Sequence, residues 1–102
     1  MMRYYKTQTI TIKAGEQAST PIGISPMTAA HAIYGPKTGD SYASVQCLSH
    51  DHNVWGQIDG LTVRAGECCL LPALACQSLR LFADMVETED RVYCYAYLEQ
   101  AN

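Results

Sequence analysis

Apolar and polar side chains alternate with a period of two along most of this chain. In Tyr5–Lys13, Ile10 and Ile12 fall on one side, and Thr9, Thr11 and Lys13 on the other. A strand sends successive side chains to opposite faces, so this segment predicts a half-buried β-strand. Ala29–Tyr34 is a second strand, closed by Gly35-Pro36. Ala43–Ser49 sets Val45, Cys47 and Ser49 against Ser44, Gln46 and Leu48. Val54–Ile58 returns from the polar turn His50-Asp51-His52-Asn53, and Asp59-Gly60 reads as a further turn. Ser78–Ala83 puts Leu79, Leu81 and Ala83 on one face, and Arg91–Glu99 is the clearest strand. No helical period is sustained, and Met85–Glu89 has room for one helical turn at most. Short strands punctuated by Gly and Pro imply an all-β fold, a small antiparallel β-sandwich or barrel.

One phrase occurs twice. Residues 11–21 read TIKAGEQASTP and residues 62–72 read TVRAGECCLLP. Thr11/Thr62, Ala14/Ala65, Gly15/Gly66, Glu16/Glu67 and Pro21/Pro72 match at one constant offset. Ile12/Val63 and Lys13/Arg64 keep their chemistry. Each copy reads as a strand, a tight turn that uses glycine's tolerance of positive φ, and a return strand ended by proline. Tyr42/Tyr93 is a further coincidence at the same offset. Duplication and independent origin both predict two similar corners, facing each other in a pseudo-symmetric sandwich.

The length of 102 residues fits a single domain, residues 1–102, with a thin core. The net charge of -3 and the absence of a basic stripe argue against nucleic acid and against polybasic membrane contact. The N-terminal MMRYYKTQTI has no apolar stretch of the secretory kind, and no segment is long and apolar enough for a helical membrane span. Five cysteines (Cys47, Cys68, Cys69, Cys76 and Cys94) form an odd set without a C-x-x-C pair. They read as free thiols that pack like small hydrophobes.

Two arrangements invite chemistry. His50-x-His52 in an extended segment would put both imidazoles on one face, the start of a cupin-like metal site with His31 as a distant ligand. The carboxylate usual in such sites is missing from Asn53-Val54-Trp55-Gly56-Gln57, so the alternative is a hairpin turn with no metal and no cofactor. Cys68-Cys69, adjacent in a strand, would point to opposite faces and could not chelate together. The aspartates Asp40, Asp51, Asp59, Asp84 and Asp90 all neighbour turns, where their side chains bond backbone amides.

Arg91–Glu99 weighs most. Val92, Cys94, Ala96 and Leu98 make one face, small and apolar, and suit the core together with Leu81. Tyr93, Tyr95 and Tyr97 then make an outward aromatic stripe, to which Tyr4 and Tyr5 add. Tyrosine is enriched at interfaces, so the stripe predicts a contact with another chain. The same rings with Trp55 could instead form a stacking platform for a sugar or another small ligand, and burial of both faces is a third outcome.

Residues 44–58, SVQCLSHDHNVWGQI, resemble a pattern in small virion proteins of tailed bacteriophages: a strand ending in Ser, a polar turn, Asn-x-Trp and a return strand. The turn Thr62-Val63-Arg64-Ala65-Gly66, the L-R-L strand Leu79-Arg80-Leu81 and a long final strand follow in the same order, over roughly residues 44–99. The chain departs from the pattern at His52, where glycine is usual. The resemblance implies a jelly-roll-like auxiliary protein, a capsid decoration or cement module. It would be non-enzymatic, assembled in the host cytoplasm into the virion, and bound to copies of itself and to a capsid or other virion protein.

Overall fold

The computed structural model describes residues 2–49, 53–73 and 76–101, with the side chains of residues 5–49, 53–73 and 76–99. It is all-β. Its strands are β1 (Met2–Ile12), β2 (Ile22–Gly23), β3 (Thr28–Tyr34), β4 (Tyr42–Leu48), β5 (Trp55–Arg64), β6 (Cys68–Leu71), β7 (Ser78–Ala83) and β8 (Arg91–Ala101). They form two antiparallel four-stranded sheets in the orders β1-β8-β3-β6 and β2-β7-β4-β5. First pairs with last, second with seventh, third with sixth and fourth with fifth. The chain is thus one long hairpin, doubled back between β4 and β5 and wrapped so that successive strand pairs alternate between the sheets. This nesting is jelly-roll-like.

Advancing every strand by four places turns β1-β8-β3-β6 into β5-β4-β7-β2, which is the other sheet. The repeated phrase sits where this operation requires. Both copies are corners, the first leading from β1 in one sheet towards β2 in the other, the second from β5 to β6. Both turns are closed alike: the Glu16 amide donates to the Lys13 carbonyl at 3.0 Å and the Glu67 amide to the Arg64 carbonyl at 3.1 Å. Gly15 and Gly66 take φ values of 81° and 76°, the positive φ that a type II turn needs at its third residue. Each turn docks on a loop of the other half. The Gly15 amide donates to the Glu87 carbonyl between β7 and β8, and the Gly66 amide to the Pro36 carbonyl between β3 and β4. Tyr42 and Tyr93 do not share this equivalence, since Tyr93 is buried in the core and Tyr42 lies on an outer face beneath Arg64.

Three local expectations change. After the first turn the chain makes only an isolated bridge, Ala18 to Phe82, before the short β2. Here the Ser19 hydroxyl replaces a ladder carbonyl by accepting the Leu81 amide at 2.9 Å, and Pro21 has no amide to continue the pairing. Asp59-Gly60 is not a turn between strands but an irregularity inside β5, where the register with β4 shifts and Gly60 takes φ 80°. Residues 85–89 contain no helical turn.

The core between the sheets is built from Ile10, Ile12, Ile33, Ala43, Val45, Val63, Leu79 and Leu81, with Tyr93 and Tyr95. Gly35 marks the tightest backbone approach. A Cβ there would lie 2.0 Å from the Arg64 carbonyl oxygen, which is backbone and cannot swing aside. Gly35→Ala is therefore expected to destabilise by about 1–3 kcal/mol in urea unfolding. Gly23→Ala, where the nearest atom is at an ordinary 3.9 Å, should cost far less. Equal losses would show that the approach at Gly35 is not tight.

Candidate functional site

The face assignment of β8 is the reverse of the one expected. Tyr93 and Tyr95 are each 1% exposed, Tyr97 is half-buried against the same core, and Val92 is 51% exposed. Cys94 and Leu98 are partly exposed on the outer face, while Ala96 and Leu81 are buried, Ala96 among its strand neighbours and Leu81 in the core. The physical reason is volume. Both alternating sets of β8 are apolar enough to be buried, and the rings fill the gap between sheets that small side chains would leave empty. The predicted outward stripe of Tyr93, Tyr95 and Tyr97 therefore does not exist. Tyr5 is exposed on the outer face, and the side chain of Tyr4 lies outside the described residues.

The buried Tyr95 hydroxyl has a partner, whereas the buried Thr28 hydroxyl and Arg91 Nε have none among the described residues. His31 Nε2 lies 2.7 Å from the Pro72 carbonyl oxygen, which can only accept, so Nε2 carries the proton. In the neutral ring Nδ1 is then an acceptor, and the Tyr95 hydroxyl donates to it at 2.8 Å. Tyr95 stacks on Tyr97 at 5.2 Å between ring centroids. Burial, then the neighbouring Tyr97, pushes the Tyr95 hydroxyl up to about 12, with the Thr28 hydroxyl opposing. Burial likewise raises Tyr93, opposed by the Arg91 guanidinium. Arg91 is itself buried, donating to the Ser41 hydroxyl and, at 3.1 Å, to the Met85 carbonyl. His31 thus serves the core and is not placed as a metal ligand.

With the tyrosines inward, the other set of β8 side chains becomes the outer face of the β1-β8-β3-β6 sheet. Registers fix its rows: Tyr5 opposite Leu98 and Leu98 opposite Ala30; Thr7, Ala96, Ala32 and Leu70; Thr9, Cys94, Tyr34 and Cys68. Leu70 is 78% and Tyr5 67% exposed. Between them the floor of Ala30, Ala32 and Ala96 forms a shallow hollow of about 150 Å³, bordered also by Tyr34 and Leu98. Among the residues whose side chains are described, no Asp, Glu, Lys or Arg stands on this face. Sequence reasoning missed Leu70, Tyr34 and the alanine floor. No local signal marks them, because they come from strands far apart in the chain and meet only through the sheet order.

The outer face of the β2-β7-β4-β5 sheet is different. The Arg80 guanidinium lies 4.5 Å from the Trp55 ring centroid and 5.8 Å from that of Phe82, and its Nε donates to Gln46 Oε1 at 2.7 Å. Arg64 covers Tyr42 at 5.0 Å. Trp55, the expected ligand-stacking residue, thus already has a guanidinium against its ring.

The alternative metal pair, His50 and His52, lies outside the described residues. Among the described residues no three His, Cys, Asp or Glu side chains cluster as metal ligands would. Cys68 and Cys69 diverge as expected, Cys68 beside Tyr34 on the outer face and Cys69 towards the core. Asp84 and Asp90 bond backbone amides distant in the chain rather than those of their own turns: Asp84 accepts the Tyr42 amide at 3.0 Å and Asp90 the Ala14 amide at 2.8 Å.

Together these features define, among the described residues, an antiparallel β-sandwich of eight strands, with arginines stacked on aromatic rings on one outer face and, on the other, a largely apolar surface without charge among the side chains described. Comparison with protein-family models, curated proteins and solved structures finds no match to this chain.

The buried hydroxyl has an alkaline signature. The folded state holds the Tyr95 proton more tightly than the unfolded chain, where the hydroxyl titrates near 10.0. Its contribution to stability is complete below that pH and is lost as pH rises towards about 12. Tyr95→Phe is expected to cost about 1 kcal/mol at neutral pH, from the lost bond to His31, and to flatten the fall in melting temperature above pH 10. A parallel fall in both proteins would refute the assignment.

Thiol labelling checks the cysteine placements. Burial, then the hydrogen bond with the Cys76 thiol, pushes Cys47 up to about 12, whereas Cys68 is exposed. Peptide mapping after limited alkylation should find Cys68 modified well before Cys47. The reverse order would contradict the structure.

Proposed function

We propose that this chain is a non-enzymatic structural protein that works by adhesion, and that its adhesive surface is the outer face of the β1-β8-β3-β6 sheet. The observation that carries the reading is the uncharged apolar face that runs from Tyr5 across Leu98, Ala96 and Ala32 to Leu70. Soluble monomers rarely leave such a patch bare, whereas burying it against a neighbour gains roughly 25 cal/mol per Å² before association costs. The resemblance of residues 44–99 to auxiliary virion proteins of tailed phages gives the adhesion a setting. Such a module is a capsid decoration or cement protein that binds a shell protein, and many copies on one shell multiply weak contacts into avidity.

Leu70→Asp tests the reading, because a side chain so exposed can be exchanged without disturbing the fold. The variant is expected to keep its melting temperature within a few degrees and to lose co-purification with phage particles. Val92→Asp is expected to fold as well, since Val92 is outward. Retention of Leu70→Asp on particles at the wild-type level would remove this face from the reading.

A further inference from the structure

The geometry points to a second copy of this chain as an occupant of the apolar face: two protomers packed sheet on sheet, related by a two-fold axis. The inference deepens the adhesion reading and rests on it. Three properties favour a copy of the same chain over a charged partner.

The first is charge. The protein carries a net charge of -3, so approach of two copies through most of its surface brings like charges together. From Tyr5 to Leu70 this face holds no charged side chain among those described, so self-contact across that part meets no local repulsion. It also offers nothing to select an acidic or a basic partner.

The second is relief. A two-fold interface must be complementary to itself, each protrusion meeting a recess on the same surface of the partner. Leu70 on the edge strand β6 is the most exposed of the large apolar side chains described. The hollow beside it, about 150 Å³, is floored by alanines. An apolar space of about that size takes a benzene molecule, and hence one leucine side chain. Protrusion and recess lie on one face, so Leu70 of each protomer can enter the hollow of the other.

The third is area. Four strands about 4.8 Å apart, of 11, 11, 7 and 4 residues at about 3.3 Å each, make a face roughly 20 Å wide that narrows from about 36 Å long at β1 and β8 to about 13 Å at β6. Side chains standing up from the pleat bring its accessible area towards the lower end of specific interfaces, about 600 Å² per partner. That suffices for a reversible dimer rather than an obligate one. The exposed Cys68 thiol beside Tyr34 would be shielded on pairing.

The test is sedimentation equilibrium of the full chain under reductant, across a wide concentration range. Alkylation of Cys68 and binding of an apolar-surface dye are measured in parallel. The expected result is a monomer–dimer equilibrium in which rising concentration slows Cys68 alkylation. Leu70→Asp should weaken it at least about tenfold without changing the melting temperature. Val86→Asp, in the β7–β8 loop, adds the same charge off the face and should leave it unchanged. A dimer that survives Leu70→Asp, or is weakened equally by Val86→Asp, overturns the proposal. A wild-type chain that stays monomeric to about 1 mM overturns it too, and the dye then separates two cases. Binding that is lost in Leu70→Asp leaves an adhesive face for a different partner. Absence of binding removes the adhesive reading as well.

Discussion

The direction of the tyrosine rings on β8 governs the rest of the molecule. β8 bonds to β1 on one side and to β3 on the other, so its side-chain alternation sets the facing of both neighbours. With Tyr93 and Tyr95 inward, Ile10, Ile12, His31 and Ile33 turn inward beside them. Tyr5, Ala32, Val92 and Leu98 turn outward. A slip of one residue would exchange the two sets. What holds the register is the combined volume of the rings and the pairing of the Tyr95 hydroxyl. Tyr95 donates to His31, and His31 is committed through its other nitrogen to the Pro72 carbonyl. Slipping would strand those polar groups and open voids that the alanines could not fill.

Much of the fold was legible in the sequence because strands and turns are local. Alternation located β1, β3, β4, β7 and β8 to within a few residues, and the two AGE turns fell where glycine had to take positive φ. The short β2 was missed because its pairing is broken by Ser19 and Pro21. The bulge in β5 was taken for a turn because Asp-Gly marks both. The outward set of β8 was misread for a deeper reason. Alternation reveals an inner face only through contrast in polarity, and Val92-Tyr93-Cys94-Tyr95-Ala96-Tyr97-Leu98 has little. Where both sets are apolar, size decides. With one Phe and one Trp in the chain, tyrosine supplies most of the aromatic volume. Of the five tyrosines expected at an interface, Tyr5 is exposed on the outer face, Tyr93 and Tyr95 are buried, Tyr97 is half-buried, and the side chain of Tyr4 lies outside the described residues. Leu70, Tyr34 and the alanine floor become a surface only through a strand order that no short segment encodes.

The repeated phrase shows how one local solution can serve a global one. A chain wrapped as a doubled hairpin must pass repeatedly from one sheet to the other. Each copy of the phrase does so with the same glycine geometry and with an amide given to a loop of the opposite half. Those interlocked corners lie at the strand ends and leave the broad faces of the sandwich clear. Gly35 belongs to the same fitting: its missing side chain lets the β3–β4 loop lie against the Arg64 carbonyl at the second corner.

The two outer faces form a comparison within one molecule. On the β2-β7-β4-β5 sheet, Trp55 and Phe82 share the Arg80 guanidinium, Tyr42 lies under Arg64, and Gln46 fixes Arg80 in place. Aromatic surface there is covered by the chain's own polar groups, and a partner would have to displace them. On the β1-β8-β3-β6 sheet Tyr5, Tyr34, Val92 and Leu70 are exposed, and no guanidinium or ammonium lies over them among the side chains described. A chain with seven lysines and arginines that stacks two of them on one face has the means to cover the other. Apolar surface left in water raises the free energy of the chain, and association through that face, as proposed above, would lower it. The contrast therefore supports the apolar face, rather than the tryptophan, as the surface on which this protein acts.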